Sequence, residues 1–249
     1  MAHVVASGAG KALMDRRTDP THEYILRLTG KERPRVLFVG TATGDDPAYI
    51  LSFYQTYDSD RCAPHHLPLF HRPMDDLAGF VRDFDVIHVG GGNTANMLDV
   101  WKRQGLDVIM REMWEDPASN VVFTGGSAGG ICWFEGGTTD SYGPTLQVLP
   151  ESLGFLPGSF SPHYDAEDQR QPLYHAALKS GELGTGHAVG NLQSVHFHNQ
   201  EFVRAISPVE GGLALTVEAV NGEIVETPLP LVVLDSADAA GRIAQGNAV

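Results

Sequence analysis

The chain has 249 residues, of which 42% are hydrophobic, and this composition can supply one sizeable core. Its formal net charge of −14, from 31 acidic and 17 basic residues, opposes binding to nucleic acid or to an anionic membrane surface. The first residues lack the basic start and the apolar run of a signal peptide, and no stretch approaches a membrane span. We therefore expect a cytoplasmic protein.

The sequence predicts one domain over residues 1–249, which begins with a loosely packed N-terminal arm over residues 1–33. The arm is rich in Gly, Thr, Lys and Arg and has a short apolar stretch only at residues 24–28. Cys62 and Cys132 are expected to be buried thiols, because a chain of this size and composition does not need a disulfide.

Short apolar runs alternate with helical patterns from residue 35 onward. This order implies right-handed crossovers and a mostly parallel sheet with helices on both faces, which is an α/β fold. Beyond residue 185 the pattern changes to alternating runs around Asn221-Gly222, which predicts β-hairpins at the edge of the sheet. Strands are predicted at 36–39, 66–70, 86–89 and 121–124, and helices at 47–57, 74–82, 94–104, 106–114, 128–134 and 166–179.

The segment Gly-Gly-Ser-Ala-Gly at residues 125–129 directly follows a predicted strand. It predicts a nucleophile elbow at Ser127, because a strained strand-to-helix turn needs neighbours without bulky side chains. The N-terminus of the next helix offers free N–H groups where an oxyanion would form. A glycine-rich turn that only starts a helix or binds a phosphate is the alternative.

A second glycine-rich segment, residues 90–94, also follows a predicted strand, where ligands bind in open parallel sheets. The backbone N–H of Gly91 or Gly92 could donate to an oxyanion beside the N–H of Ala128. Asn93 is predicted to cap the next helix and to contact the substrate, and an ordinary capped loop is the alternative.

A serine hydroxyl needs a base that takes its proton, and the chain has 11 histidines. His163 is the candidate, because it follows Pro162 in a loop before a predicted helix. His88 lies within a strand, and His196 and His198 alternate in a hairpin, so these three are predicted to be structural or surface residues. An ordinary surface position is the alternative for His163.

The third member of such a triad would be a carboxylate that orients the imidazole. Asp140 and Glu135 both lie between Ser127 and His163 in the chain. Asp140 is favoured because its loop is able to fold back over the elbow, whereas Glu135 ends the elbow helix, where a solvated position is expected. Both candidates stay open.

Three motifs together resemble the peptidase E family of α-aspartyl dipeptidases, which includes cyanophycinase-like enzymes and is related to the class I glutamine amidotransferase fold. The resemblance implies Ser127 as nucleophile, His163 as base and Asp140 as the third member, with hydrolysis that needs no metal or organic cofactor. Residues 186–191 contain no acidic residue, whereas some relatives carry one there. The motifs are Gly-Gly-Gly-Asn-Thr at 90–94, Gly-x-Ser-Ala-Gly at 125–129 with Thr-Thr-Asp at 138–140, and Pro-His-Tyr at 162–164 with Gln-Arg at 169–170.

The family also implies a substrate, a short peptide with an N-terminal aspartate. Arg170 is then the candidate counter-charge for the aspartate side chain, because a guanidinium can pair with a carboxylate through two hydrogen bonds. A surface arginine on an acidic helix is the alternative. The oligomeric state stays open, with a homodimer as one alternative.

Three other functions fit part of the pattern. A cyanophycinase-like amidohydrolase would share the same motifs. An esterase of the α/β-hydrolase fold also has Gly-x-Ser-x-Gly, but only 36 residues separate Ser127 from His163, too few for the strand–helix units expected there. A non-catalytic protein could use the glycine-rich pocket to hold a ligand, and the near-complete triad argues against it.

Overall fold

The computed structural model describes residues 2–16 and 19–234. Their strands are β1 (His3–Ser7), β2 (Arg35–Val39), β3 (Ala63–His66), β4 (Val86–Val89), β5 (Val122–Gly126), β6 (Gly136–Thr139), β7 (Gln147–Leu149), β8 (Ser159–Ser161), β9 (Gly186–Val189), β10 (Ser194–His198), β11 (Glu201–Ser207), β12 (Ala214–Val220), β13 (Glu223–Pro228) and β14 (Leu231–Val233). Their α-helices are α1 (Lys11–Met14), α2 (Pro20–Leu28), α3 (Pro47–Thr56), α4 (Leu77–Arg82), α5 (Thr94–Gln104), α6 (Leu106–Glu115), α7 (Ala128–Ile131) and α8 (Arg170–Ser180).

The strands form two sheets, and the predicted α/β architecture is confirmed. The larger has eight strands in the order β14-β11-β10-β1-β5-β4-β2-β3, and the segment from β1 to β3 is parallel throughout. The smaller has the order β13-β12-β9-β8-β6-β7, with β6, β8 and β9 parallel and an antiparallel hairpin, β12–β13, at one edge. The parallel strands of each sheet deliver their following loops to one edge, where ligands bind in such folds.

Short-range capping explains where the helices begin. The Asp46 side chain accepts a hydrogen bond from the Ala48 N–H at 2.6 Å, and Pro47 opens α3 with a pre-set φ angle. Asn93 likewise accepts from the Asn96 N–H at 2.8 Å and starts α5. Both helices begin immediately after the loops that follow β2 and β4, so the caps fix those loops at the edge of the sheet.

The prediction of a loosely packed arm over residues 1–33 is wrong for the part that is described. Residues His3–Ser7 form β1, which lies inside the large sheet between β5 and β10, and Val4, Val5 and Ala6 are fully buried. The surrounding segment is polar and rich in glycine, so the average composition of residues 1–33 does not reveal this short apolar run. A five-residue strand buried on both faces therefore gives little compositional signal.

Four predicted elements differ in their bounds by three residues or more. The strand predicted at 66–70 lies earlier, as β3 at Ala63–His66, and the helices predicted at 74–82 and 166–179 begin only at Leu77 and Arg170. Helix α7 ends at Ile131 because the carbonyls of residues 132–134 accept hydrogen bonds from the loop at residues 153–156.

The two cysteines are free and buried, as predicted. None of the helices in the described ranges has both the length and the apolarity to cross a membrane.

Candidate active site

Ser127 occupies the sharp turn between β5 and α7. Its backbone has φ 55° and ψ −117°, a conformation that residues with a β-carbon rarely adopt. Such strain persists only when the surrounding structure enforces it, and it is typical of reactive nucleophiles. The residue is half-buried, whereas its neighbours in β5 and α7 are buried.

Backbone segments approach the turn so closely that its glycines cannot carry side chains. A β-carbon on Gly126 would lie 1.8 Å from the Ala9 carbonyl oxygen, and one on Gly129 would lie 2.2 Å from the Val89 carbonyl oxygen. Gly126 and Gly129 therefore allow the elbow to pack against the segment that follows β1 and against β4. This close packing holds the strained serine in place.

His163 lies beside the serine, where it can act as a base. Its Nε2 is 2.9 Å from Ser127 Oγ, and its Nδ1 is 2.5 Å from the side-chain oxygen of Asn191. When Nδ1 carries the proton and donates it to Asn191, Nε2 is free to accept the proton of the serine hydroxyl. The three side chains thus form a hydrogen-bonded chain suited to activating Ser127.

The strands of the small sheet bring His163 and Asn191 together. His163 follows β8 and Asn191 follows β9, and these two strands are parallel neighbours. The loop is held by the Tyr164 N–H, which donates to the Val189 carbonyl at 3.1 Å, and by the Tyr164 hydroxyl, which bonds Glu226 at 2.7 Å. His163 itself has φ 54°, so the loop holds it in another strained conformation.

The structure places neither predicted carboxylate against the imidazole. Asp140 is exposed and, among the described residues, makes no hydrogen bond with His163. Its loop is tied elsewhere, because the Asn93 side chain donates to the Ser141 carbonyl at 2.8 Å. Glu135 accepts from the Gly158 N–H at 2.8 Å and thereby fastens a different loop. Asn191 occupies the position expected for the acid.

Gly91 does not have the free N–H that was predicted. Its N–H donates to the Tyr49 hydroxyl at 3.1 Å. Within residues 2–16 and 19–234, the N–H groups of Gly92 and Ala128 have no hydrogen-bond partner. Gly92 follows β4, and Ala128 opens α7 after β5, the neighbour of β4 in the sheet, so these two donors stay the candidates for an oxyanion site.

The chain matches the model of peptidase family S51 over residues 4–205, which is most of its length. The chain belongs to peptidase family S51. It is 44% identical over 231 residues to the uncharacterized peptidase YgaJ of Bacillus subtilis (strain 168), a match that covers 93% of this chain and 98% of that protein. The protein is therefore a peptidase of family S51.

Two crystal structures share the fold of this S51 peptidase. A candidate peptidase E protein from Listeria monocytogenes EGD-e superposes with a TM-score of 0.58 at 18% identity, covering 82% of this chain and 97% of its own. A peptidase from an acI-B1 Actinobacterium superposes with a TM-score of 0.63 at 14% identity, covering 91% and 95%. At these identities the likeness concerns the fold alone.

Arg170 is not the free substrate-binding cation predicted for this S51 peptidase. Its side chain is 3% exposed, and Nε donates to Glu167 Oε2 at 2.7 Å. The guanidinium also donates to the carbonyl and the hydroxyl of Thr138 in β6. The arginine is therefore a buried residue that links the start of α8 to β6 through its hydrogen bonds with Thr138.

Asn93 also has a structural role in this S51 peptidase. Its side-chain oxygen caps α5, while its side-chain nitrogen binds the Ser141 carbonyl. The capping prediction is confirmed, and the amide is engaged at both ends. In the part of the chain that the structure describes, no three His, Cys, Asp or Glu side chains are grouped as a metal site.

Proposed function

We propose that this S51 peptidase is a serine peptidase in which Ser127 is the nucleophile, His163 the base and Asn191 the residue that orients the base. The observation that carries the proposal is the 2.9 Å distance between Ser127 Oγ and His163 Nε2. A nucleophile in a strained turn with a base at hydrogen-bond distance, itself oriented by a third group, is the arrangement that covalent catalysis requires.

In the first half-reaction Ser127 Oγ bonds to the scissile carbonyl carbon while its proton passes to His163 Nε2. The negative charge moves to the carbonyl oxygen, where the N–H groups of Gly92 and Ala128 can donate to it. Collapse of this tetrahedral intermediate breaks the C–N bond, and His163 returns the proton to the leaving amine. An acyl-enzyme on Ser127 remains.

In the second half-reaction a water molecule replaces the amine. His163 takes a proton from the water as its oxygen bonds to the acyl carbon, and then returns that proton to Ser127 Oγ as the ester bond breaks. Asn191 holds the imidazole in one orientation through both halves, because its side-chain oxygen accepts the Nδ1 proton. An amide fills the equivalent position in some cysteine peptidases.

For the substrate we propose a short peptide with an N-terminal aspartate. The support is the combination of the three motifs at 90–94, 125–140 and 162–170 that resembles the peptidase E family. Because Arg170 is buried and paired, the aspartate carboxylate needs another cation. Lys11 is the candidate, since it follows Gly10, which packs against Gly91 and Gly126, and among the described residues its ammonium pairs only with exposed Asp15.

A fluorophosphonate probe and a peptide panel test the proposal. The wild type should form one adduct at Ser127, and Ser127→Ala should form none and lose about 10^4-fold in kcat. Among Asp-X, Asn-X, isoaspartyl and N-acetylated Asp-X dipeptides, Asp-X should have the highest kcat/KM. A Ser127→Ala protein that keeps a tenth of the activity would refute the nucleophile, and a preference for Asn-X would refute the substrate.

A further inference from the structure

Tyr49 lies directly beneath the glycine segment that borders Ser127. It belongs to α3, is 1% exposed, and its hydroxyl accepts the Gly91 N–H at 3.1 Å. Its ring packs edge-on against Phe38, with centroids 5.0 Å apart. A β-carbon on Gly90 would lie 3.0 Å from this ring, so the tyrosine supports the segment by contact as well as by hydrogen bonding.

Among the described residues, every backbone N–H of residues 90–93 except one has a hydrogen-bond acceptor. The Gly90 N–H donates to the Val39 carbonyl at 3.0 Å, the Gly91 N–H to Tyr49, and the Asn93 N–H to the Ala42 carbonyl at 2.8 Å. Among the described residues the Gly92 N–H has no acceptor. Within residues 90–93, hydrogen bonds thus fasten the chain on both sides of the free Gly92 N–H group.

Gly92 is held in a conformation that only glycine adopts easily. Its φ is 138°, and a β-carbon there would lie 2.4 Å from the Ala42 carbonyl oxygen. Gly91 lies against the nucleophile, since a β-carbon on it would be 3.3 Å from the Ser127 β-carbon. The Gly92 N–H belongs to the peptide unit between Gly91 and Gly92. A change in the backbone angles of Gly91 would therefore change the direction of this N–H relative to Ser127.

We infer that Tyr49 is a positioning residue for the oxyanion site, whose buried hydroxyl holds the Gly91 peptide so that the Gly92 N–H stays aimed at the developing charge. The inference rests on the proposed serine mechanism. A donor aligned before the reaction stabilises the oxyanion without a cost of reorganisation. Burial raises the pKa of the Tyr49 hydroxyl, so it stays uncharged and does not repel the oxyanion.

Tyr49→Phe is the decisive variant because it keeps the ring and removes only the acceptor. Phosphonylation by a fluorophosphonate forms the bond between Ser127 Oγ and phosphorus, expels fluoride and passes the serine proton to His163, while the phosphoryl oxygen takes the oxyanion position. We expect the second-order rate constant of phosphonylation to fall about 10- to 100-fold in Tyr49→Phe. The kcat for an Asp-X dipeptide should fall by a similar factor, and KM should not change.

Tyr54→Phe is the matched control. Tyr54 lies in the same helix, but its hydroxyl bonds His66 Nδ1 at 2.8 Å instead of the glycine segment. Both variants lose one tyrosine hydroxyl bond, and urea unfolding should show the larger loss of stability for Tyr49→Phe, because it leaves the buried Gly91 N–H without an acceptor. Only Tyr49→Phe should react slowly with the probe. The labelling is measured where circular dichroism shows both variants folded.

The outcomes separate this inference from the proposed function. Wild-type labelling at Ser127 together with an unchanged rate in Tyr49→Phe would overturn the role of Tyr49 and leave the nucleophile intact. A fall in kcat with an equal fall in the Tyr54→Phe control would also overturn it, because the effect would then be one of general stability. No labelling of the wild type at Ser127 would overturn both.

Discussion

At the scale of single residues, the unusual feature is an amide where a carboxylate was predicted. Asn191 can accept the Nδ1 proton of His163 and fix its tautomer, but it cannot offset the positive charge that the imidazole gains when it takes the serine proton. A triad acid both orients the imidazole and stabilises its positive charge, whereas Asn191 can only orient it. Substitutions of Asn191 can therefore measure the two contributions separately.

Asn191→Ala should lower kcat by about 10^2-fold, because the imidazole loses its orienting acceptor. Asn191→Asp should keep activity within about tenfold of the wild type, since a carboxylate accepts the same proton and also stabilises the imidazolium. Asp140→Asn is the control and should change kcat less than about twofold. Steady-state kinetics on an Asp-X dipeptide check the series, and a 100-fold loss in Asp140→Asn would return the role to Asp140.

Ser127 and His163 could be predicted from the sequence as nucleophile and base, because this chemistry restricts both the residue type and the neighbours. Asn191 could not be found in the same way, since a neutral amide is common and only the pairing of β8 with β9 brings it to His163. The sequence feature that could have indicated Asn191 is its position in residues 186–191, where some relatives carry an acidic residue. Tyr49 likewise lies far from any motif, and only the fold places its hydroxyl under Gly91.

At the scale of elements, the junction of α8 with β6 depends on a buried charge. Arg170 opens α8 and donates to both oxygens of Thr138, while Glu167 neutralises it from a half-exposed position. Thr138 also bonds Ser161, the last residue of β8, at 2.9 Å. The arginine thus supports the strand that leads to His163, which explains its burial better than substrate binding does.

Arg170→Met should destabilise the protein by about 2 kcal/mol, because the carbonyl of Thr138 loses a buried donor. The ratio of kcat/KM for Asp-X to that for Asn-X should stay as in the wild type. Lys11→Gln is the contrasting variant and should lower that ratio at unchanged stability. Urea unfolding and paired kinetics check both, and a collapsed ratio in Arg170→Met would contradict the structural role.

Elements marked by a helix cap or by a distinct apolar run were predicted well, and the first strand was not. Helices α3 and α5 are marked by Asp46 and Asn93 as caps, so local chemistry sets their starts. Strand β1 is different, because its partners lie 119 and 187 residues away and nothing local distinguishes its three apolar residues, Val4, Val5 and Ala6, from a loop. Non-local pairing decided its structure.

At the scale of the whole molecule, buried histidines make stability depend on pH. Burial, with a further contribution from His22, lowers the pKa of His88 to about 3, and burial with His3 and other cations lowers that of His196 to about 3. The unfolded chain binds these protons near the ordinary value of 6.5. Their contribution to stability is therefore full above pH 6.5 and is lost as the pH falls toward 3.

The free energy of unfolding should fall between pH 7 and pH 5, by about 2 kcal/mol for each such histidine. His196→Gln should reduce this pH dependence, because glutamine does not titrate. His65→Gln, at an exposed position, is the control and should leave it unchanged. Urea unfolding at both pH values measures the effect, and identical pH slopes for the wild type and His196→Gln would contradict it.

The position of β1 also bears on how the chain acquires its fold during synthesis. A ribosome makes Ser7 187 residues before its neighbour Ser194, so the centre of the large sheet cannot close until most of the chain has emerged. Strand β1 can pair with β5 as soon as that strand is made, but its other edge stays uncovered until β10 follows, a condition that favours association between nascent chains. The turn at Ser127 needs only the earlier pairing, since Ser127 donates its N–H to the Ser7 carbonyl. His163 and Asn191 are made later, so the proposed catalytic site is complete only when β8 and β9 have paired in the small sheet.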